Sequence, residues 1–288
     1  MNQKCNSEII FSYLKKWEEK ISNVDLNPEV ASMFILNYFH WSQAQLLSHY
    51  RDTLDGNDLN KLNEQLTRYI NGEPAQYIIK KAYFYGNELF VNPKVLIPRP
   101  ETEELVDLIL KEHQEDSLKI LDIGTGSGAI AISLKKERPN WEVFAADISS
   151  DSLEIAQLNA DEIVDSKINF FKSDVFESIN IYDFDLIVSN PPYISFDEID
   201  LMDKSVMQYE PHLALFAENN GLYIYDKILK RSSNYLKSDG EIYFEIGFNQ
   251  AKSLKHLANQ YLTNSRVDVF QDINGTDRIV HIKLERSN

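Results

Sequence analysis

The chain has 288 residues, enough for a buried core and, at a prior of roughly 150 residues per domain, for two domains; 43% hydrophobic and 11% aromatic residues with only 10 Gly and 9 Pro exclude disordered and fibrous classes. No run approaches the roughly 18 apolar residues of a membrane helix, the opening MNQKCNSEII has no apolar core with a cleavage site, and the lone Cys5 forbids an internal disulfide or Cys-cluster metal site, so a soluble, cytoplasmic protein is expected, with Cys5 an inert thiol. Against 29 basic residues stand 45 acidic ones, a net charge of −16 that aids solubility and makes duplex nucleic acid an unfavoured partner.

Residues 1–75 read as a helical domain. Ile10, Tyr13, Leu14, Trp17 and Ile21 recur at three- and four-residue steps, the spacing of one apolar helix face. Asn27 before Pro28 supplies a capping side chain and a first helical residue that needs no N–H, so a second helix starts there. Leu59, Leu62, Leu66, Tyr69 and Ile70 mark another, ended by Asn71-Gly72. Such helices either pack for their own sake or recognise a partner, and the pattern alone does not choose.

Residues 76–100 turn to aromatic and β-branched residues punctuated by Gly and Pro, Tyr83-Phe84-Tyr85-Gly86 and Leu89-Phe90-Val91-Asn92-Pro93, and are expected to form a β-hairpin linker. In 101–288 strands at 119–123, 142–146, 169–172, 185–188 and 241–246 alternate with helices from Ala129, over 151–159 and over 223–236. That alternation means a mostly parallel sheet covered by helices on both faces. Runs at 266–270 and 279–284, joined by Asn274-Gly275, close it as an antiparallel pair.

After the first of these strands comes Asp122-Ile123-Gly124-Thr125-Gly126-Ser127-Gly128-Ala129, glycines at a strand end opening a helix, where a ligand can approach bare backbone. Asp147 ends the next strand and can accept protons from both hydroxyls of a ribose. Glycines and acid together fit a dinucleotide as well as S-adenosylmethionine. Asp122 favours the latter, because a carboxylate there repels a pyrophosphate and attracts an ammonium and a sulfonium; its blander role is to cap the loop. The loop lacks the Gly-Lys-[Ser/Thr] of a phosphate-binding loop, and Thr125 and Ala129 stand where a serine-nucleophile turn needs glycines.

The strand at 185–188 runs into Asn190-Pro191-Pro192-Tyr193, at the end where open α/β sheets bind ligands. The prolines fix their own φ and hold the preceding residues extended, so that the Asn190 amide and the Pro191 carbonyl can converge as acceptors. An NH2 with a delocalised lone pair is a weak nucleophile. Acceptors on its two protons favour the cation that develops as it takes a methyl group, and no strong base is required. Tyr193 is expected to stack on the planar group. Taken alone, the tetrapeptide could simply be a turn.

The sequence resembles the peptide chain release factor N5-glutamine methyltransferases, the PrmC or HemK family, from about Gly72 to Arg278. The likeness is carried by Gly72-Glu73-Pro74 with Tyr77, Ile97-Pro98-Arg99-Pro100-Glu101-Thr102-Glu103, Asp122 to Gly128, Asp147-Ile148-Ser149 and Asn190 to Ile194. Glu210-Pro211, Ala214-Leu215-Phe216, Gly221-Leu222, Glu245-Ile246-Gly247 and Asp277-Arg278 extend it. The Asn-Pro-Pro-Tyr string is shared with nucleic-acid amine methyltransferases; Ile-Pro-Arg-Pro-Glu-Thr-Glu is far more specific to this family.

The resemblance implies an α/β fold: a seven-stranded, Rossmann-like class I methyltransferase domain behind a small helical domain that helps dock class 1 release factors. It implies S-adenosylmethionine, leaving as S-adenosylhomocysteine, bound at Asp122, Gly124, Thr125, Gly126, Ser127, Gly128, Asp147 and Asn190, with adenine beside Asp174 and Val175. The glutamine of the Gly-Gly-Gln motif is expected at Asn190, Pro191, Pro192 and Tyr193, with Asn190, Pro191 and Tyr193 catalytic. Val175 departs from the bulky aromatic common at its position, and Ala217-Glu218 replaces small residues in a loop without an assigned role. A nucleic-acid amine methyltransferase would have to hold phosphates and accept an unstacked base, which the charge disfavours. A non-catalytic nucleotide-binding adaptor would have no use for the acceptor tetrapeptide. His40, His49, His113, His212, His256 and His281 show no H-E-x-x-H spacing, so no metal is expected.

Overall fold

The computed structural model describes residues 7–285, and Cys5 lies outside them. The chain divides into two compact units: one holds the N-terminal residues to Lys80 together with Lys204–Tyr209, the other Lys81–Asp203 and Glu210 onward.

The N-terminal unit is built from helices Ile10–Ser22, Val30–Phe39, Gln43–Ser48, Gly56–Ile70 and Ala75–Ile79. The apolar face read from the sequence is buried: Tyr13, Trp17, Phe34, Leu62 and Leu66 share one core. Burying each such side chain contributes about 1.5–3 kcal/mol. At one polar edge of the core Asn63 Oδ1 accepts from Tyr13 Oη and Trp17 Nε1, both at 3.1 Å. The Asn27 side chain accepts from Glu29 N at 3.0 Å, ahead of the helix that begins at Val30. Asp55 and Asp58 cap the next long helix reciprocally. Ser205 donates to the Gly72 carbonyl at 2.6 Å, so a segment far along the chain is stitched into this unit.

The second unit begins with the hairpin Lys81–Phe84 and Asn87–Phe90, turned by Tyr85-Gly86, both at positive φ. The sequence set residues 76–100 apart as a linker. In the structure Phe84 and Leu89 are buried in one core with Leu105 and Trp141, and Asn159 exchanges two hydrogen bonds with the Phe90 backbone. Packing, which no local pattern reports, makes the hairpin part of the sheet unit.

Seven strands form one sheet: β1 (Lys119–Ile123), β2 (Glu142–Asp147), β3 (Asn169–Lys172), β4 (Phe184–Ser189), β5 (Leu236–Glu245), β6 (Ser265–Gln271) and β7 (Asp277–Leu284). Their spatial order is β3-β2-β1-β4-β5-β7-β6, parallel from β3 to β5, with β7 antiparallel to both β5 and β6. The chain winds outward from β1 to β3 and then returns to place β4 on the other side of β1. That reversal opens a crevice beyond the carboxyl ends of β1 and β4.

Helices Pro100–Glu112 and Ala251–Tyr261 occupy stretches for which no element was expected. The first has Pro100 at its start, Glu101 and Glu103 in its first turn and buried Leu105, Val106 and Ile109. The helix read as 223–236 stops at Ser232, because Tyr235 leaves it to stack on Phe176, ring centroids 4.2 Å apart, and its carbonyl accepts from Phe184 N. Among the described residues no helix is long and apolar enough to cross a membrane.

Candidate active site

A cleft of about 660 Å³ opens at this crevice, within the range of small-molecule sites. One wall is the loop after β1. Gly124 N and Thr125 N both donate to the Ala146 carbonyl, at 2.8 and 3.1 Å, tying the loop to β2. Gly124, Gly126 and Gly128 have φ of 76°, 56° and 86°, a region that penalises any side chain. A Cβ on Gly124 or Gly126 would meet open space, the room a ligand needs; on Gly128 it would lie 2.8 Å from Ile132 and 3.2 Å from Ala156. Gly128, which does not line the cleft, thus lets the helix after the loop approach its neighbour.

Asp147, at the end of β2, accepts from Gly126 N and Ser149 N, both at 2.9 Å, one on each carboxylate oxygen. Burial raises its pKa above the ordinary aspartate value, and these backbone bonds oppose the rise. Lone pairs remain on both oxygens for a pair of hydroxyls. Further along the wall lie Asp174, ion-paired to Lys227 at 2.6 Å, and Val175, an aliphatic surface at a φ of 54°.

Asp122 departs from expectation. It does not line the cleft but is fully buried beneath the loop, where Thr125 Oγ1 donates to its Oδ2 at 2.7 Å and Oδ1 has no hydrogen-bond partner among the described residues. Burial pushes its pKa up to about 7, against the Thr125 hydrogen bond. The blander role, bracing the loop, fits this position better than direct contact with a ligand cation.

The opposite wall is the turn after β4. Asn190, Pro191 and Pro192 line the cleft alongside Thr125, Ser127 and Asp147. Asn190 Nδ2 donates to Thr102 Oγ1 at 3.1 Å, and Thr102 donates to Glu245 Oε2 at 2.6 Å. Tyr193 does not line the cleft. Burial and the charge of Glu245 push its phenol up to about 12, while Arg278 and Arg99 oppose them. Its ring packs partly against the core.

Several site residues had no role assigned from sequence. Arg99, on the cleft wall, pairs with buried Glu210 at 2.6 Å. Gly221, at a φ of 77°, passes so close to Tyr193 that an added Cβ would lie 1.9 Å from its carbonyl oxygen, which instead accepts from Gln250 Nε2 at 2.9 Å. Ala217 N donates to the Ile194 carbonyl at 3.0 Å, and Ala217 and Glu218 form part of the cleft wall, which places the loop left unassigned above. All but Gln250 fall in strings that carried the resemblance or, for Ala217-Glu218, marked a departure from it; their pairings with distant residues were invisible.

A seven-stranded sheet with this order, a glycine loop on β1 and an acid ending β2 define a class I S-adenosylmethionine-dependent methyltransferase. The family models agree: residues 102–213 match the methyltransferase small domain and residues 12–79 the PrmC N-terminal domain. A release factor glutamine methyltransferase of Lactococcus lactis subsp. lactis is 49% identical, covering 93% of this chain and 99% of the relative. One of Streptococcus pneumoniae is 50% identical, covering 72% of this chain and 74% of the relative. The chain belongs to the release factor glutamine methyltransferase family. A crystal structure of a methyltransferase from Pyrococcus furiosus, 19% identical, covers 78% of this chain and 99% of its own with a TM-score of 0.53, a likeness of fold alone.

Proposed function

We propose that the protein methylates N5, the side-chain amide nitrogen, of the glutamine in the Gly-Gly-Gln motif of class 1 peptide chain release factors, in the cytoplasm, in support of translation termination. The observation that carries this reading is the convergence of the glycine loop with Asp147 and the turn Asn190–Pro192 on one cleft.

When bound, S-adenosylmethionine supplies an electrophilic methyl on its sulfonium. The bare loop from Gly124 to Ser127 and the Asp147 carboxylate fit a ribose and an amino-acid tail, and Asp174 and Val175 fit adenine beyond them. Across the cleft Asn190 Oδ1 and the Pro191 carbonyl accept the two amide protons of the glutamine. This draws electron density onto its nitrogen and steadies the positive charge that grows there until the nitrogen, having taken the methyl group, releases one of its two protons to solvent. Fixed acceptors also hold the lone pair toward the methyl group, so orientation replaces a strong base.

The cleft mouth favours a polypeptide over a nucleic acid: exposed Phe196 and Leu213 line it, and the chain carries a net charge of −16. The N-terminal unit, with its own core, serves as the docking module for the release factor. A glutamine alone offers few contacts, whereas stable recognition of a protein needs about 1,200–2,000 Å² of total surface. The test is transfer of label from radiolabelled S-adenosylmethionine to purified release factors and to nucleic acids side by side. Label on the Gly-Gly-Gln glutamine is expected; label on a base would overturn the reading.

A further inference from the structure

An amide that must accept a hydrogen bond has to be held the right way round, because its oxygen and NH2 group differ little in shape and exchange places by one rotation. We propose that Thr102 and Glu245 are positioning residues that lock the Asn190 amide with Oδ1, not Nδ2, toward the nitrogen to be methylated. The inference rests on the role of Asn190 proposed above.

The three side chains come from distant parts of the chain: Thr102 from helix Pro100–Glu112, Asn190 from the turn after β4, and Glu245 from the end of β5. Thr102 and Glu245 are buried, 4% and 1% exposed, so water does not compete for their hydrogen bonds. A hydroxyl has one proton. Thr102 gives its proton to Glu245 Oε2 at 2.6 Å and so faces Asn190 with lone pairs only. The Asn190 group 3.1 Å away must therefore be the NH2. Oδ1 of this cleft-lining residue is left without a hydrogen bond among the described residues. Turned over, the amide would set oxygen against oxygen at Thr102 and NH2 against the substrate's NH2.

The direction of this relay is set by the ionisation of Glu245. An ionised carboxylate can only accept, which fixes the Thr102 proton. Burial raises the carboxyl's pKa to about 7, the Thr102 hydroxyl and Arg278 on β7 lower it, Glu101 raises it and the Tyr193 hydroxyl lowers it. Tyr225, from helix Tyr223–Ser232, donates to the main-chain carbonyl of Glu245 at 2.7 Å and leaves the carboxylate untouched. Once protonated, the carboxyl can donate to Thr102, whose own proton then turns to Asn190 Oδ1 and reverses the amide. Activity is therefore present above about pH 7 and lost as pH falls through it.

The experiment measures kcat, KM and calorimetric affinity for S-adenosylhomocysteine in Asn190→Ala, Thr102→Val, Thr102→Ser, Glu245→Gln and the double variant Asn190→Ala/Thr102→Val. Thr102→Val should lower kcat between about tenfold and a hundredfold, with affinity for S-adenosylhomocysteine unchanged, and Thr102→Ser should restore it. In the double variant Thr102→Val should cause no further loss, because its effect passes through Asn190. Glu245→Gln, which can donate as well as accept, should flatten the acid limb of the kcat profile. Wild-type kcat in Thr102→Val, or losses that multiply in the double variant, would overturn the relay. If Thr102→Val does not fold, an unaltered acid limb in Glu245→Gln would do the same. A wild-type rate in Asn190→Ala would instead overturn the proposed role of Asn190, and the relay with it.

Discussion

The two walls of the cleft are held in different ways. With the walls named for the methyl donor and acceptor proposed for them, the donor wall is mostly backbone: Gly124 and Thr125 bond to the Ala146 carbonyl, and Gly126 bonds to Asp147, 21 residues away. The acceptor wall is held by side chains and close approaches from remote segments, Thr102 at 88 residues from Asn190 and Gln250 at 57 from Tyr193. A wall built at neighbouring strand ends, each marked by its own short motif, can be recognised as strings and disrupted within them. A wall assembled from four segments can be broken from positions that never touch the substrate.

The comparison breaks most sharply at Asn190. Asn190→Ala should lower single-turnover methylation by about a hundredfold or more, as removal of an aligned transition-state contact does. Calorimetric affinity for S-adenosylmethionine should stay close to wild type, and a parallel loss of affinity would mean that the walls are not separable.

Asp147→Ala is the complementary cut. Losing charge-assisted hydrogen bonds to the ribose costs about 1.5–3 kcal/mol, more than a tenfold loss of affinity for S-adenosylmethionine, while kcat at saturating cofactor should be largely retained. Unchanged affinity in the folded variant would remove Asp147 from the site.

A third substitution damages the acceptor wall from behind. Gly221→Ala forces a Cβ against the Tyr193 carbonyl at a positive φ, and should cost about 1–3 kcal/mol of stability and reduce kcat more than cofactor affinity. Thermal melts and kinetics on one preparation separate the two effects.

A fourth effect is electrostatic and lies beneath the donor wall. The folded-state pKa of Asp122 is raised from 3.8 to about 7. Its contribution to stability is therefore fully present below about pH 4 and lost as pH rises through about 7, with a slope of at most about 1.4 kcal/mol per pH unit. Asp122→Asn removes that titration, so its melting temperature should fall less than that of the wild type between these pH values. Parallel curves would show that the carboxyl does not titrate there.

What the sequence determined by itself was whatever is written contiguously. Five parallel strands were legible as short apolar runs, and the loop Gly124–Gly128, the acid Asp147 and the turn Asn190–Tyr193 were legible because a strand end, a glycine turn and two prolines impose their geometry on adjacent residues. Tertiary packing decided the rest. Asp122 and Tyr193 were expected in the site itself, yet burial takes one beneath the loop and the other packs partly against the core and does not line the cleft. The hairpin after Lys80 belongs to the sheet unit because Phe84 and Leu89 are buried with Leu105 and Trp141, and Lys204–Tyr209 belongs with the N-terminal unit. Thr102, Glu210, Gly221 and Glu245 were present as letters in recognisable strings. Their work became visible only when folding set a hydroxyl beside an amide, a guanidinium beside a carboxylate and a glycine against a carbonyl, because such pairings depend on distances in space that spacing along the chain does not encode.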